Sequence, residues 1–268
     1  MKFSPEKLNL IDNEIRKKII EMIFYSKSGH VGPSLSIVEI LTNIYLNYVD
    51  FDDPDRNKVI LSKGHAAPTL YAIYDYLNLL EKDEYKTLRK IGSRLQGHPD
   101  KRKLDLIDAG TGALGQGLSI SIGYALAFKS KNLDRKVFCI IGDGETQEGQ
   151  IWEAAMYIGT YKLNNIITFL DSNKFQNEYS VKETLPVQNM ISKWQSFGFA
   201  VEEINGHDNN AISNVLEKFK NNFYKNPPLI YCNTIKGKGI KEMENNNKFH
   251  HIKDLNEKDF LRYIEELN

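Results

Sequence analysis

Apolar residues recur at helical spacing over residues 6–26, where Leu8, Ile11, Ile15, Ile19, Met22 and Ile23 share one face. Pro33 suits a first helical turn and predicts a second helix over 33–46. Residues 58–61 read as a short strand, and 66–80 and 83–91 as helices. A glycine-rich stretch, 110–117, leads into a helix of small residues over 119–128. Beyond it the pattern alternates: strand 137–141, helix 150–160, strand 166–171, helix 188–197, strand 199–204, helix 209–222, strand 229–234. Strands that are apolar throughout and separated by helices predict an α/β fold, a parallel sheet with helices on both faces. Two polar connections, 172–187 and 236–256, are long enough to be functional or mobile, and a helix over 256–266 closes the chain. No repeat or linker divides the sequence, so a single domain spanning 1–268 is expected.

Composition adds mostly exclusions. The chain has 268 residues, 41% hydrophobic and 26% charged, with zero formal net charge. Basic clusters such as Lys101-Arg-Lys103 are short, so nothing points to nucleic acid. No apolar run is long enough to span a bilayer, and the first residues lack an apolar signal core; a cytoplasmic protein is expected. Cys139 and Cys232 lie in apolar strand-like runs and read as free buried thiols.

Chemistry enters at the strand ends. Gly142-Asp143-Gly144 follows one apolar strand, and Asn173 follows the next, thirty residues on. In open parallel sheets ligands bind at the carboxyl ends of strands. A carboxylate and an amide carbonyl there are hard oxygen donors suited to Mg²⁺, which often shares its shell with phosphates. The flanking glycines let backbone N–H groups approach a diphosphate. Taken alone, Gly-Asp-Gly reads equally as a strand-to-helix turn with a capping Asp. His30, His65 and His98 each follow a glycine, which permits close ligand approach; a single such histidine would read as a turn residue. His207, in Asn-Gly-His-Asp208, reads as a turn and helix-cap residue.

The ordered words Ser28-Gly-His30, Ser62-Lys-Gly-His65, Gln96-Gly-His-Pro99, Gly110-Thr-Gly-Ala-Leu-Gly-Gln-Gly117, Gly142-Asp-Gly-Glu-Thr-Gln-Glu-Gly149, Trp152-Glu-Ala-Ala155, Thr234-Ile-Lys-Gly-Lys-Gly239 and Met243-Glu-Asn245 carry a resemblance. Over about residues 10–251 the chain resembles transketolases, and more narrowly the amino-terminal subunit of transketolases split into two chains. The resemblance implies a thiamine diphosphate-binding fold, the domain that holds diphosphate and metal. It implies Mg²⁺, replaceable by Ca²⁺ or Mn²⁺, on Asp143, Asn173 and the backbone carbonyl of Phe175. Gly144 N–H and His65 would meet the diphosphate, while Gly112 and Leu114 would face the thiamine. His30 and His98 would face sugar hydroxyls, and His250 would stand near the diphosphate and the reacting centre. Glu148 reads locally as a carboxylate at a helix start; the resemblance places it in a carboxylate network between active sites. Lys236 and Lys238 would approach diphosphate or substrate.

Two departures stand out. The family's Trp-His-Gly word is Phe249-His250-His251 here, and the glycine common after the metal asparagine is missing from 174–181. The implied reaction moves a two-carbon glycolaldehyde unit from a ketose phosphate to an aldose phosphate, a step of carbohydrate metabolism in the pentose phosphate pathway. The glutamate that activates the cofactor, and the pocket for its pyrimidine, belong to a further domain in this family. A companion carboxyl-terminal subunit is therefore expected, in a heterotetramer with two sites. Rival readings are a 1-deoxy-D-xylulose-5-phosphate synthase-like or dehydrogenase-type thiamine enzyme, a dihydroxyacetone synthase, a transketolase for an unusual sugar, and a non-catalytic homologue.

Overall fold

The computed structural model of the chain describes residues 2–268. Its elements are α1 (Pro5–Ser26), β1 (Ser28–Gly29), α2 (Val31–Leu35), α3 (Val38–Tyr48), β2 (Lys58–Leu61), α4 (Ala67–Tyr76), α5 (Gln116–Ser130), β3 (Val137–Gly142), α6 (Gly149–Thr160), β4 (Ile166–Ser172), α7 (Val181–Thr184), α8 (Met190–Ser196), β5 (Ala200–Asn205), α9 (Asn209–Lys220), β6 (Pro228–Asn233), β7 (Ile252–Lys253) and α10 (Glu257–Glu266). Five strands form one parallel sheet in the order β2-β3-β4-β6-β5.

Strand alternation divides the core. Phe138, Ile140, Ile167 and Phe169 face a cluster supplied by α1, α3, α4 and α9. Val137, Cys139, Ile141, Ile166 and Leu170 face a second cluster supplied by α5, α6 and α8. Both faces of the sheet are thus covered, as the apolar strands predict. Cys139 and Cys232 are buried and free. Among the described residues, no helix is long and apolar enough to cross a membrane.

Several expectations need correction. The helix expected over 33–46 is two, broken at Ser36–Ile37; Ile37 offers no side-chain cap, so no local signal marks the break. The break sets the Ser36 hydroxyl 2.8 Å from the Asp171 carboxylate. The helix expected over 66–80 stops at Tyr76, just before Asn78 turns left-handed. The helix expected over 83–91 does not form. A 3-10 turn, Glu84–Thr87, lies between left-handed residues Asp83 and Arg89, and Leu95 O accepts from Arg89 N at 2.8 Å. The 172–187 connection contains the single-turn α7, closed by a capping box between Ser180 and Glu183. Residues 252–253 pair antiparallel with 28–29, a two-stranded ribbon that the polar sequence of 236–256 did not foretell.

Candidate active site

The carboxyl ends of β2, β3, β4 and β6 meet at one edge of the sheet. Gly142 is registered with Asp171, so Asp143 leaves β3 beside the end of β4. A cleft of about 440 Å³ opens there, lined by His30, His65, His98, Gly112, Leu114, Asp143, Gly144, Glu148, Asn173, Phe175 and His250, though not by Lys236 or Lys238.

Asp143 is buried; its carboxylate accepts from Gly144 N at 2.8 Å and Lys174 N at 2.6 Å. Burial, and next the Asp171 charge, pushes its carboxyl up to about 7. Asn173 Oδ1 accepts from Phe175 N at 3.0 Å, and its Nδ2 donates to Asp171 Oδ2 at 2.8 Å. Among the described residues, no three His, Cys, Asp or Glu side chains gather as a metal site. One buried carboxylate beside amide and carbonyl oxygens instead fits a hard cation that completes its shell with phosphate oxygens. The Gly144 N–H expected on a diphosphate is engaged by the Asp143 side chain in this structure.

Below them lies a polar layer that sequence reasoning missed. Asp171 is fully buried and pairs with the buried Lys63 ammonium and the Thr234 hydroxyl. Burial pushes the Asp171 carboxyl up, but Lys63, Thr234 and Ser36 outweigh it and hold it below its ordinary value. Glu145 is also buried: its carboxylate accepts from Ser62 Oγ at 2.5 Å, Gly115 N at 2.8 Å and Gly142 N at 3.0 Å. It thereby ties the glycine-rich loop to the end of β3. The signal for both acids was present, since each adjoins a strand-end motif, but only burial distinguishes them from exposed carboxylates. Glu148, by contrast, is exposed, at the N-cap of α6 without a capping hydrogen bond.

Two glycines shape the loop. Gly115 is left-handed, with φ 84°. A Cβ on Gly117 would stand 2.5 Å from Ser62 Oγ, whose hydroxyl accepts from Gly117 N at 3.1 Å. The same loop packs Gly112 against the His98 ring, where an added Cβ would lie 3.7 Å from the ring carbon.

The histidines converge from four places in the chain. The His30 ring centroid is 5.4 Å from that of His65, 6.0 Å from His98 and 5.5 Å from His250. Burial, followed by neighbouring positive groups, lowers His30 and His250 to about 3 and His65 well below its ordinary value. His98 is lowered by burial and then Arg89. All four are neutral at pH 7, each offering one donor and one acceptor. His251, not foreseen, joins them with its centroid 4.7 Å from that of His30.

Lys236 is completely buried behind the cleft wall. Its ammonium contacts Gln176 O at 3.0 Å, Asn247 Oδ1 at 2.5 Å and His250 Nδ1 at 2.7 Å. Burial, then Lys63, lowers it to about 7. Lys238 turns elsewhere and pairs with Glu244 at 3.2 Å. His207 is more than a turn residue: its Nε2 accepts from Ile235 N at 2.8 Å and its Nδ1 lies 3.1 Å from Glu39. Asp208 caps α9.

Residues 8–263 match the family model described as transketolase, thiamine diphosphate binding domain. A 6-deoxy-6-sulfo-D-fructose transketolase subunit of Clostridium sp. (strain MSTE9) is 40% identical over 246 residues, 90% of this chain and 89% of that one. An apulose-4-phosphate transketolase subunit of Phocaeicola vulgatus is 35% identical over 253 residues, 92% of this chain and 89% of that one. Among solved structures, transketolase from Campylobacter jejuni superposes with a TM-score of 0.88 at 30% identity, over 97% of this chain and 42% of that chain.

Proposed function

The chain belongs to the transketolase family, as its thiamine diphosphate-binding domain, and from that premise we propose that it is the amino-terminal subunit of a two-chain transketolase. The observation that carries this reading is the convergence of Asp143, Asn173 and four histidines in one cleft at the carboxyl edge of the sheet.

Thiamine diphosphate, when bound, supplies the nucleophilic carbon and the electron sink for transfer of a two-carbon unit. Asp143, Asn173 and the Phe175 carbonyl are the residues that would hold Mg²⁺ against the diphosphate. Gly144 N–H and His65 would meet its oxygens, with the Lys63 and Lys236 ammoniums adding positive charge behind them. Leu114 and Gly112 form the wall for the thiamine. His30 and His98 bind sugar hydroxyls as neutral rings, accepting or giving a proton as those hydroxyls ionise. With Lys236 protonated and donating to Nδ1, the His250 ring proton sits on Nε2. That arrangement readies His250 as a donor beside the reacting carbonyl.

In the family the chain resembles, the pyrimidine half of the cofactor site belongs to a further domain. The chain covers 89% of the length of two relatives named as transketolase subunits but 42% of a solved transketolase. Both facts support a companion carboxyl-terminal chain. Apolar residues left exposed on the neighbouring helices α5 and α6, Leu126 with Met156 and Tyr157, support a partner on that face.

The relatives' names favour a second reading of the same site: a transketolase for a less common ketose, such as a 6-deoxy-6-sulfo sugar or apulose 4-phosphate. The deciding experiment combines the chain with its companion, thiamine diphosphate and Mg²⁺, and assays transfer between xylulose 5-phosphate and ribose 5-phosphate. The assay is then repeated with 6-deoxy-6-sulfofructose and apulose 4-phosphate as donors. Transfer from the pentose phosphate supports the first reading, and transfer only from another donor supports the second. No transfer from any ketose would leave the chain a non-catalytic homologue.

A further inference from the structure

The β1/β7 ribbon ends at the cleft. Its register pairs Gly29 with Ile252, so the next residues outward, His30 and His251, stand opposite each other. Their rings meet edge to face, with centroids 4.7 Å apart and planes at 78°. This is closer than His30 comes to His65, His98 or His250. The His251 ring is itself anchored, its Nε2 lying 3.3 Å from Ser28 Oγ on the same ribbon. His30 is different. Its Nδ1 is buried with no hydrogen-bond partner, so packing alone sets the ring's orientation.

We propose that His251 is a positioning residue. Its ring wedges His30 into the orientation in which the ring edge that lines the cleft, rather than the buried Nδ1, meets a sugar hydroxyl. The inference rests on the transketolase reading for its substrate, although the wedge itself does not depend on which ketose is used. A glycine at 251, the residue implied by the family word, would leave that side of His30 bare. Edge-to-face packing needs only a ring, so the wedge does not require an ionisable group at 251. Other charged and titratable groups around His30 are Arg89, Lys236, His65, His98 and His250, and the three other histidine rings all stand farther from it than His251 does.

The test compares His251→Gly with His251→Phe in the assembly of this chain with its companion. His251→Gly is expected to lower kcat/KM for the ketose roughly tenfold or more, as a misplaced hydroxyl-binding group does. His251→Phe should recover most of that loss, and both variants should bind thiamine diphosphate with unchanged affinity. A second readout needs no activity: histidine-selective NMR titration of the full chain. Removing the ring should raise the His30 pKa from its depressed value near 3 and broaden its ring signals, whereas Phe should leave them sharp and the pKa low. Unchanged His30 signals in a folded His251→Gly variant would overturn the proposal, as would a Phe variant as impaired as Gly. If the wild-type assembly turned over no ketose, the transketolase reading would fail while the NMR comparison still decided the wedge.

Discussion

Burial holds the Asp143 carboxyl near 7 against an ordinary 3.8, so the folded chain favours its protonated form. A raised folded pKa contributes stability that is full below about 4 and is lost as pH rises through about 7. Asp143→Asn lacks this titration. Urea unfolding of the cofactor-free chain should therefore show wild type losing stability relative to Asp143→Asn between pH 4 and 7; parallel curves would remove Asp143 as the titrating group. A divalent cation stabilises the charged carboxylate, so affinity for Mg²⁺ with thiamine diphosphate should tighten as pH rises through about 7. In Asp143→Ala that affinity should nearly vanish, because the sole carboxylate in the expected donor set is gone. Lys236→Met should weaken diphosphate binding by about tenfold, the scale of one charge-assisted contact. Calorimetry checks both, and an unchanged Kd in a folded variant would contradict the assigned role. At this scale Asp143 and Asn173 stood out as an acid after Gly142 and an amide thirty residues on, each following an apolar strand. Asp171, Glu145 and Lys63 were not, since a sequence does not show which neighbouring charge is buried.

Among elements, the glycine-rich loop and the end of β3 behave as one unit through Glu145. Glu145→Gln replaces a carboxylate accepting three hydrogen bonds by an amide whose N–H₂ must face at least one donor. Roughly 1–3 kcal/mol of stability should be lost, together with cofactor affinity, in denaturation and calorimetry done side by side. Gly117→Ala should lose a similar amount, about 1–3 kcal/mol, by overpacking against Ser62. If it proved neutral, the close approach of α5 to the end of β2 would not be what fixes the loop. Strands and most helices were readable here because their buried faces repeat at periods of two and 3.6 residues. The break between α2 and α3, and the refusal of 83–91 to form a helix, were not. In both places the chain gives up helical hydrogen bonds for other contacts, with the distant Asp171 in the first and with the nearby Leu95 carbonyl, across a loop, in the second.

At the scale of the whole molecule, the proposed companion chain would complete the cofactor site, and α5 with α6 exposes apolar side chains. The chain alone is expected to be inactive with saturating cofactor and to gain activity only when its companion is added. Met156→Asp with Tyr157→Asp should block that assembly while leaving the melting temperature of the isolated chain within a few degrees, because both side chains are exposed. Light scattering of the mixture gives the result; assembly persisting in the double variant would place the interface elsewhere.

The order of apolar and polar residues by itself determined the sheet, its helical cover and the strand-end positions of Asp143 and Asn173, because each depends on local periodicity and on where a strand stops. Tertiary structure alone decided which acids and lysines are buried and paired. It also decided that His207 braces the segment carrying Lys236, and that a ribbon of two residues from each end of the chain sets His251 against His30. Those facts follow from contacts between segments up to more than two hundred residues apart, and no local pattern encodes which distant backbone will supply the missing partner.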